Sequence, residues 1–412
     1  MIKILYNLQL SAIDKTTKEF LIFKDSNFSV FYNIANSFNK FFKDEFEFIC
    51  LIPAETSASI LSRDYNLPNV VYVPIAMNCK DLYSLRFNWD AKRMTDLVLE
   101  YKPDIIWENQ PSLVNNWRAI LTWHKLVNEI KIITYNHWID VDRYSKVERE
   151  SLYGIRQSEA AMLSDLYLCN SLEARNQIWE MIEENLSIKR YTPIVNVYSL
   201  APFIDDEHTY EILRSARINE TNKIKIVYNH RLSEFPYYKD GFNLFMKVIE
   251  ELKKDNDLNG FSIRIIFTDA SEKLQSREEL PVKDSPNIRL ELRKGMNKAA
   301  YYNFLVSCDI GVGTFTPNGG CWSISLAETI LMKIATIVPN HSGYKEMVPS
   351  NYPLLVIPTV EDVTGNLKKL ILNQSFRENC IIEAYNYYVE HYSSEKLTKY
   401  LRSLILEKVL LR

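Results

Sequence analysis

Paired cysteines are missing from this sequence of 412 residues. The six cysteines are scattered, none forms a CxxC pair, and most lie in apolar runs, as buried free thiols do. This pattern favours a reducing compartment over a disulfide framework and gives no sign of a structural zinc site. The positions are Cys50, Cys79, Cys169, Cys308, Cys321 and Cys380.

Long apolar runs are missing as well. No segment holds about 18 uncharged apolar residues, the length that indicates a membrane-spanning helix. The first ten residues, MIKILYNLQL, contain one lysine and too short an apolar run for a secretory signal. We therefore expect a cytoplasmic protein.

Neither sign of charge dominates. The formal net charge is -3 and the pI is about 6.2. These values exclude a global electrostatic preference for nucleic acid or an anionic membrane, although a local basic groove can exist within a neutral total. With 47% hydrophobic and 25% charged residues, the composition is that of an ordinary globular protein.

Glycine is scarce, with ten residues in the whole chain, whereas Asn, Ile, Lys, Tyr and Phe are common. Such a composition suggests an A+T-rich genome, as in a low-GC bacterium or a phage. It bears on the origin of the protein and not on its mechanism.

The length and the pattern of apolar runs predict two α/β domains. Short apolar runs alternate with helical segments, which predicts parallel strands and doubly wound sheets. In such sheets, ligands bind beyond the carboxyl ends of the strands. The predicted strands are residues 2–6, 46–52, 70–74, 105–107, 131–135, 166–169 and, together with a turn, 198–206, then 223–228, 262–268, 287–291, 309–314 and 335–338.

We place the domain boundary in residues 203–222, where a proline-bearing apolar segment gives way to a charged one. The expected units are residues 1–203, residues 222–385, and a C-terminal helix at 386–412 that crosses back to the first domain.

The first predicted helix, residues 29–42, has a broad apolar face formed by Val30, Ile34, Phe38 and Phe41. This face indicates a helix packed on the core. A helix lying on a membrane is the alternative, although Lys40 and Lys43 are its only basic residues.

Residues 309–346 contain the clearest candidate for a ligand site. An apolar run, a glycine-containing loop, a helix, a second apolar run and a further glycine turn predict a βαβ unit. The unpaired amides at the start of such a helix favour an anion. If the helix begins near Ser323, then Glu328 lies about one turn beyond its start.

Four sequence blocks between residues 131 and 348 resemble, in the same order, those of retaining, family-4-like glycosyltransferases with the GT-B fold. A strand ends at His137, and SDLYLCNSLEARNQI carries Asp165 and Ser171 at the matching places. The third block is HRLSEFPYYKDG, and the fourth is the βαβ unit with Glu328. The resemblance implies two Rossmann-like domains facing each other across a cleft, the second binding the donor and the first the acceptor.

The resemblance also implies roles for individual residues. His137 is expected near the transferred sugar, and Arg231 and Lys239 on the diphosphate, where fixed cations stabilise the leaving group. Glu328 is expected to accept hydrogen bonds from the ribose. The donor would be a nucleotide-diphosphate sugar, with a UDP-sugar as the first choice, and no metal is required. The remaining expected donor contacts are Gly319, Gly320, Trp322, Ser323, Ile324 and Ser325.

The sequence departs from the family in several places. Gly320 stands where the family has the first of two paired glutamates, which leaves the sugar open. The glycine-rich loop of the acceptor domain is missing, because residues 7–27 contain no glycine. Asp140 and Asp142 match a metal-binding DxD motif, but three residues carry little specificity. We interpret His230 and His341 as bystanders.

The acceptor is open between two classes. A glycan or small sugar is the default for the family. A modified base in phage DNA is the alternative, because a flipped base needs an aromatic and basic cleft. The candidate residues for that cleft are Lys80, Arg86, Trp89, Lys92, Arg93, Trp117 and Arg118. A third hypothesis is a catalytically inactive scaffold that binds ligands, which the missing glutamate permits.

Overall fold

The structure, a computed structural model, divides the chain into two compact units. Unit 1 comprises Met1–Asp205, Gly319–Trp322 and Ser394–Arg412, and unit 2 comprises Asp206–Asn318 and Ser323–Ser393. The structure describes residues 1–8, 25–54, 61, 63, 65–75, 91–109, 111–136, 152–185, 196–204, 222–230, 236–268, 274, 276–296, 298–317 and 322–411.

Unit 1 contains a parallel sheet of seven strands in the order β3-β2-β1-β4-β5-β6-β7. The strands are almost continuously apolar, as expected for a sheet covered by helices on both faces. They are β1 (Ile2–Asn7), β2 (Phe46–Pro53), β3 (Val70–Ile75), β4 (Ile105–Glu108), β5 (Lys131–Asn136), β6 (Leu166–Cys169) and β7 (Val197–Ser199). The helices before Val197 are α1 (Ser26–Phe41), α2 (Ala91–Tyr101), α3 (Val114–Trp123), α4 (Leu152–Leu163) and α5 (Leu172–Asn185).

Unit 2 contains a second parallel sheet, of six strands in the order β10-β9-β8-β11-β12-β13. The strands are β8 (Lys223–Tyr228), β9 (Ser262–Thr268), β10 (Ile288–Arg293), β11 (Ile310–Val312), β12 (Ala335–Pro339) and β13 (Leu355–Val356). Its helices are α6 (Pro236–Lys253), α7 (Lys298–Leu305), α8 (Ile324–Leu331), α9 (Val360–Leu372) and α10 (Gln374–Tyr392).

Each sheet has one point at which the strand order reverses. In unit 1 this switch point lies between β1 and β4, and in unit 2 it lies between β8 and β11. Helices leave the sheet on opposite faces on the two sides of such a point, which opens a crevice at the carboxyl ends of the two strands. The two switch points are therefore the first places to look for a ligand site.

The predicted α/β class with two doubly wound domains is confirmed. Each predicted strand begins and ends within about two residues of an observed one, except that the predicted strand and turn at 198–206 extend well beyond β7. Two elements escaped prediction. The strand β13 has only two residues, too few to show a period, and α9 follows it directly.

The C-terminal segment contains two helices beyond α9. The first, α10, ends at Tyr392, and α11 (Ser394–Leu404) follows and continues into a π-helical turn. Within unit 1, the Arg402 guanidinium of α11 donates to both carboxylate oxygens of Glu45, at 2.7 and 3.2 Å, and lies over the ring of Phe42. These contacts fasten α11 to the end of α1.

The apolar face of α1 is buried in unit 1. Val30, Ile34 and Phe38 are each at most 1% exposed, so the core-packed interpretation of this helix is correct. Among the described residues, no helix combines the length and the apolarity needed to cross a membrane. The four cysteines in the described ranges are buried and form no disulfide.

Candidate functional site

The helix α8 begins at the switch point of unit 2 and presents two free amide groups there. Ser323 is its N-cap, and its hydroxyl accepts from the amide of Leu326 at 3.2 Å. The amides of Ile324 and Ser325, at the first two helical positions, have no acceptor in the part of the chain that the structure describes. With the positive end of the helix dipole, they can bind an anion.

The side chain of His230, just beyond β8, connects the three elements at this switch point. Its Nε2 lies 2.7 Å from the carbonyl oxygen of Val312 in β11, and its Nδ1 lies 2.8 Å from the hydroxyl of Ser325 in α8. A carbonyl oxygen can only accept, so Nε2 carries the hydrogen and Nδ1 accepts from Ser325. The imidazole therefore fixes the start of α8 against the ends of both strands.

His230 is neutral at physiological pH. The side chain is 2% exposed, and this burial lowers its pKa from 6.5 to about 4, although the bond to the Val312 carbonyl acts in the opposite direction. The ring of His230 also packs edge-on against Tyr228 and Phe315. His230, which we interpreted from the sequence as a bystander, is therefore a structural part of this switch point. The sequence shows only that His230 directly follows an apolar strand. Its burial depends on residues that lie far away in the chain.

Two tyrosine hydroxyls hold the carboxylate of Glu328. Tyr301 donates to Oε2 at 3.1 Å and Tyr302 donates to Oε1 at 2.9 Å, both from α7. Burial raises the pKa of Tyr301 well above its ordinary value, and the nearby Glu328 adds to this effect, so the hydroxyl stays protonated. A carboxylate has about four lone-pair positions, more than these two bonds use.

Asn229 ties this tyrosine to the start of the helix. Its side-chain nitrogen donates to the hydroxyl of Tyr301 at 2.8 Å and to the carbonyl of Ser325 at 3.0 Å. A continuous polar network therefore runs from β8 through α7 to α8. It includes Glu328 at one end and the Ser323 and Ser325 hydroxyls, 3.0 Å apart, at the other.

Gly241 brings the first turns of α6 against the end of β11. A Cβ at Gly241 would lie 2.6 Å from the carbonyl oxygen of Thr314, so only glycine fits without a shift of the backbone. The Thr314 hydroxyl in turn donates to the carbonyl of Gly241 at 2.7 Å. Lys239, two residues earlier on the same helix, is exposed. Its side chain is therefore carried to the same end of the sheet as α8.

The switch point of unit 1 has a different character. Asn7 and Glu108, the last residues of β1 and β4, are paired in the sheet, and the Asn7 nitrogen donates to both carboxyl oxygens, at 3.1 and 2.9 Å. The indole of Trp117, on α3, donates to Oε2 of Glu108 at 2.7 Å. Burial raises the pKa of Glu108 to about 8, which outweighs the opposite effect of these donors. The carboxyl group is therefore mostly protonated at neutral pH.

The structure describes six of the predicted site residues. Ser323, Ile324, Ser325 and Glu328 lie together on α8, Lys239 lies on α6, and Trp322 is buried. The others lie outside the described residues: His137, Arg231, Gly319 and Gly320, together with Asp140 and Asp142 of the DxD match. Their predicted roles stay predictions. Asn229, Tyr301 and Tyr302 are network members that the sequence did not single out, and His230 is one that we interpreted as a bystander.

Two residues of the hypothetical DNA-binding cleft are engaged inside unit 1. Trp117 is fully buried and bound to Glu108, so it cannot stack on a base in this conformation. Arg118 donates to the carbonyl of Leu163 and forms a 2.9 Å ion pair with Asp165. Lys80, Arg86 and Trp89 lie outside the described residues.

A cavity of about 290 Å³ lies at the amino ends of β5 and β6. The switch point lies at the opposite, carboxyl ends of the strands. The cavity is lined by Arg118, Lys131, Asp165 and Lys408, among others. Because the ligands of doubly wound sheets bind at the carboxyl ends of the strands, we do not place the principal site there. Within the described ranges, no three His, Cys, Asp or Glu side chains form a group that could hold a metal ion.

No protein-family model matches this sequence, and no curated protein matches it by sequence. Solved structures do match in fold. HepE of Anabaena, solved with UDP and glucose, has a TM-score of 0.64 at 13% identity, covering 99% of this chain and 100% of that one. A glycosyltransferase from Rickettsia africae ESF-5 has a TM-score of 0.64 at 13% identity, with coverages of 100% and 99%. The trehalose-6-phosphate synthase OtsA has a TM-score of 0.68 at 10% identity and 99% coverage of both chains.

These likenesses span practically the whole chain, although the identities are low. The predicted resemblance to GT-B glycosyltransferases is therefore confirmed at the level of the fold. The chain has the fold of the GT-B glycosyltransferases.

Proposed function

We propose that this protein is a glycosyltransferase that moves a sugar from a nucleotide-diphosphate donor to a hydroxyl group of a glycan or small sugar, with retention of the anomeric configuration. The donor we favour is a UDP-sugar. The observation that carries the proposal is the polar network at the switch point of unit 2, where two free amides and a tyrosine-held carboxylate lie on one short helix.

Each part of this network suits one part of the donor. The amides of Ile324 and Ser325 would bind the diphosphate, and the Glu328 carboxylate would accept from the ribose hydroxyls. Lys239 and Arg231 would supply positive charge as the diphosphate leaves, which makes a metal unnecessary. A protein of similar fold supports this assignment, because HepE was solved with UDP and with UDP-glucose.

Retention without a protein nucleophile implies attack on the same face of the sugar that the diphosphate leaves. The bond between the anomeric carbon and the phosphate oxygen breaks, and the acceptor oxygen forms the new bond to that carbon. The departing phosphate oxygen takes the proton of the acceptor hydroxyl. His137 is proposed to lie near the transferred sugar, as in the family that the sequence resembles.

The experiment is a survey of nucleotide sugars followed by a transfer assay. A donor at about a hundred times its Kd adds about 2.7 kcal/mol to the stability of the folded state, which a thermal shift detects. The donor that binds is then incubated with candidate acceptors, and proton NMR reads the anomeric configuration of the product. An inverted product would refute the retaining mechanism.

Lys239→Ala tests the charge on the diphosphate, and Lys247→Ala, an exposed lysine on the same helix, is its matched control. We expect Lys239→Ala to lower kcat by about 10²–10³, because it removes a donor that stabilises the leaving group. Lys247→Ala should leave the rate unchanged. If the wild-type protein binds a donor but neither transfers nor hydrolyses it, the inactive-scaffold hypothesis replaces the enzyme.

A further inference from the structure

The side-chain oxygen of Asn7 is an unpaired polar atom at the switch point of unit 1. The side-chain nitrogen is held by both oxygens of Glu108, which directs the amide oxygen away from the carboxyl group. That oxygen is buried and has no hydrogen-bond partner in the described part of the chain. An unsatisfied buried acceptor destabilises the protein, so a ligand that pairs with it gains affinity.

The neighbouring amide, that of Asn109, differs from Asn7 in this respect. Asn109, directly after β4, accepts from the hydroxyl of Tyr6 at 3.0 Å and donates to the carbonyl of Leu8 at 3.3 Å. Both ends of its amide are used within the protein. In Asn7, by contrast, only the side-chain nitrogen is paired, and the oxygen can accept a hydrogen bond from a ligand.

The groups around Asn7 indicate what that ligand is. Glu108 is mostly protonated at neutral pH, and the groups whose charge acts on the adjacent Tyr6 of β1 include Cys50 on β2, Tyr135 on β5 and Glu108 itself. Phenol and thiol groups are neutral at pH 7, and burial raises the pKa of Tyr6 and of Cys50 further. A charged ligand would be buried beside neutral dipoles, which is costly. A hydroxyl group is uncharged and can both donate and accept, so it pairs with either orientation of the Asn7 amide.

We propose that Asn7 binds a hydroxyl group of an uncharged sugar acceptor, and that Glu108 is a positioning residue that holds Asn7 for this contact. The inference rests on the proposed function and adds to it the residues and the charge class of the acceptor. Trp117 supports the arrangement by fixing the Glu108 carboxyl group from α3.

The test measures sugar binding by saturation-transfer NMR to the full-length protein loaded with UDP. The probes are glucose, galactose, N-acetylglucosamine and glycerol, with glucose 6-phosphate as a charged counterpart. We expect at least one neutral probe to bind and glucose 6-phosphate to bind more weakly than glucose. Asn7→Ala should weaken the neutral probe about tenfold or more while the Kd of UDP stays within about twofold.

The pH dependence separates positioning by Glu108 from a merely structural role. Ionisation of a buried carboxyl group favours opening of the cluster to water, so the affinity of the wild-type protein for the neutral probe should fall between about pH 7 and about pH 9. Glu108→Gln keeps a neutral side chain and should bind the probe at pH 7 without this pH dependence. Trp117→Phe, which removes one donor to Glu108, should weaken binding less than Asn7→Ala does.

Circular dichroism and the Tm verify that each variant is folded, and Trp117→Phe serves if Asn7→Ala does not fold. The proposal is overturned if UDP binds but no neutral probe does, if Asn7→Ala and Trp117→Phe leave the affinity unchanged, or if the wild-type affinity is flat with pH. Failure of UDP itself to bind would instead count against the proposed function.

Discussion

The switch points of the two units each have a glutamate near the ends of the strands, but the two side chains have different surroundings. In unit 1, Glu108 lies at the end of a strand, is fully buried, and is held by two neutral donors, Asn7 and Trp117. In unit 2, Glu328 lies on a helix, is half-buried, and accepts from two tyrosine hydroxyls. The second glutamate lies on a helix whose first two amides have no acceptor among the described residues.

This difference teaches that the same topology can be adapted to opposite kinds of ligand. The amides at the start of α8 and the nearby lysine favour a negatively charged group. The cluster in unit 1 favours a neutral one, because its carboxyl group is mostly protonated at pH 7. The arrangement matches a reaction in which a charged nucleotide sugar meets an uncharged hydroxyl group.

The largest expected effect is a change in the free energy of unfolding with pH, caused by the protonation of Glu108. Its pKa is raised from 4.5 to about 8 in the folded state, so the folded protein binds the proton more tightly than the unfolded chain does. The resulting stabilisation is fully present below about pH 4.5, declines as the pH rises, and is lost above about pH 8. It amounts to at most about 5 kcal/mol, at about 1.4 kcal/mol for each unit of pKa shift.

Urea denaturation of the wild-type protein and of Glu108→Gln at a series of pH values measures this effect. The free energy of unfolding should fall more steeply with pH for the wild-type protein than for the variant. Parallel pH profiles would mean that Glu108 is ionised in the folded state, and the comparison between the two switch points would lose its basis.

The second prediction concerns the stability that His230 contributes to the folded state, which depends on pH in a more acidic range than that of Glu108. The pKa of His230 is lowered to about 4, so its contribution is present above about pH 6.5 and is lost as the pH falls towards 4. His230→Ala removes two buried hydrogen bonds and should destabilise the folded state by about 2–4 kcal/mol. Because it also releases Ser325, we expect the Kd of UDP to rise about tenfold.

A matched control for His230 is His391, which is exposed on α10 and bonded to the carbonyl of Tyr387 in its own helix. His391→Ala should change neither the stability nor the Kd of UDP by a measurable amount. Calorimetric titration with UDP at pH 7 measures both variants. Equal UDP affinities for His230→Ala and the wild-type protein would show that His230 has no role in positioning α8.

The smallest effect is expected for the hydroxyl of Tyr302. Tyr302→Phe removes one hydrogen bond to Glu328 and keeps the ring, so the UDP affinity should fall by a factor of about 3–10, equivalent to about 1 kcal/mol. Tyr388→Phe, a buried tyrosine on α10, is a control for the loss of a hydroxyl elsewhere in unit 2. A change of equal size in both variants would mean that the effect is not specific to Glu328.

Much of the fold could be predicted from the sequence because buried parallel strands leave a local record. Apolar runs such as IKILYN and KIKIVY fixed the positions of β1 and β8, and a serine before an apolar helix indicated the N-cap of α8. The nearness of Glu328 to the start of that helix followed from helical geometry alone.

The rest of the site depends on contacts that leave no local record. Asn7 and Glu108 are 101 residues apart, and only the register of β1 against β4 brings them together. His230 reaches Ser325 across 95 positions, and Tyr302 reaches Glu328 across 26. Nothing within one strand or helix specifies such pairs, so the neutral state of Glu108 and the role of His230 became visible only in the folded chain.

The central claim is that the nucleotide binds at the switch point of unit 2 and not at that of unit 1. Calorimetric titration of UDP into the wild-type protein, Glu328→Ala and Glu108→Gln tests it most directly, with the exposed Glu361→Ala as a control. We predict that Glu328→Ala weakens UDP about 10–100-fold, whereas Glu108→Gln and Glu361→Ala stay within about twofold of the wild-type Kd. Loss of UDP affinity in Glu108→Gln with normal binding by Glu328→Ala would contradict the account.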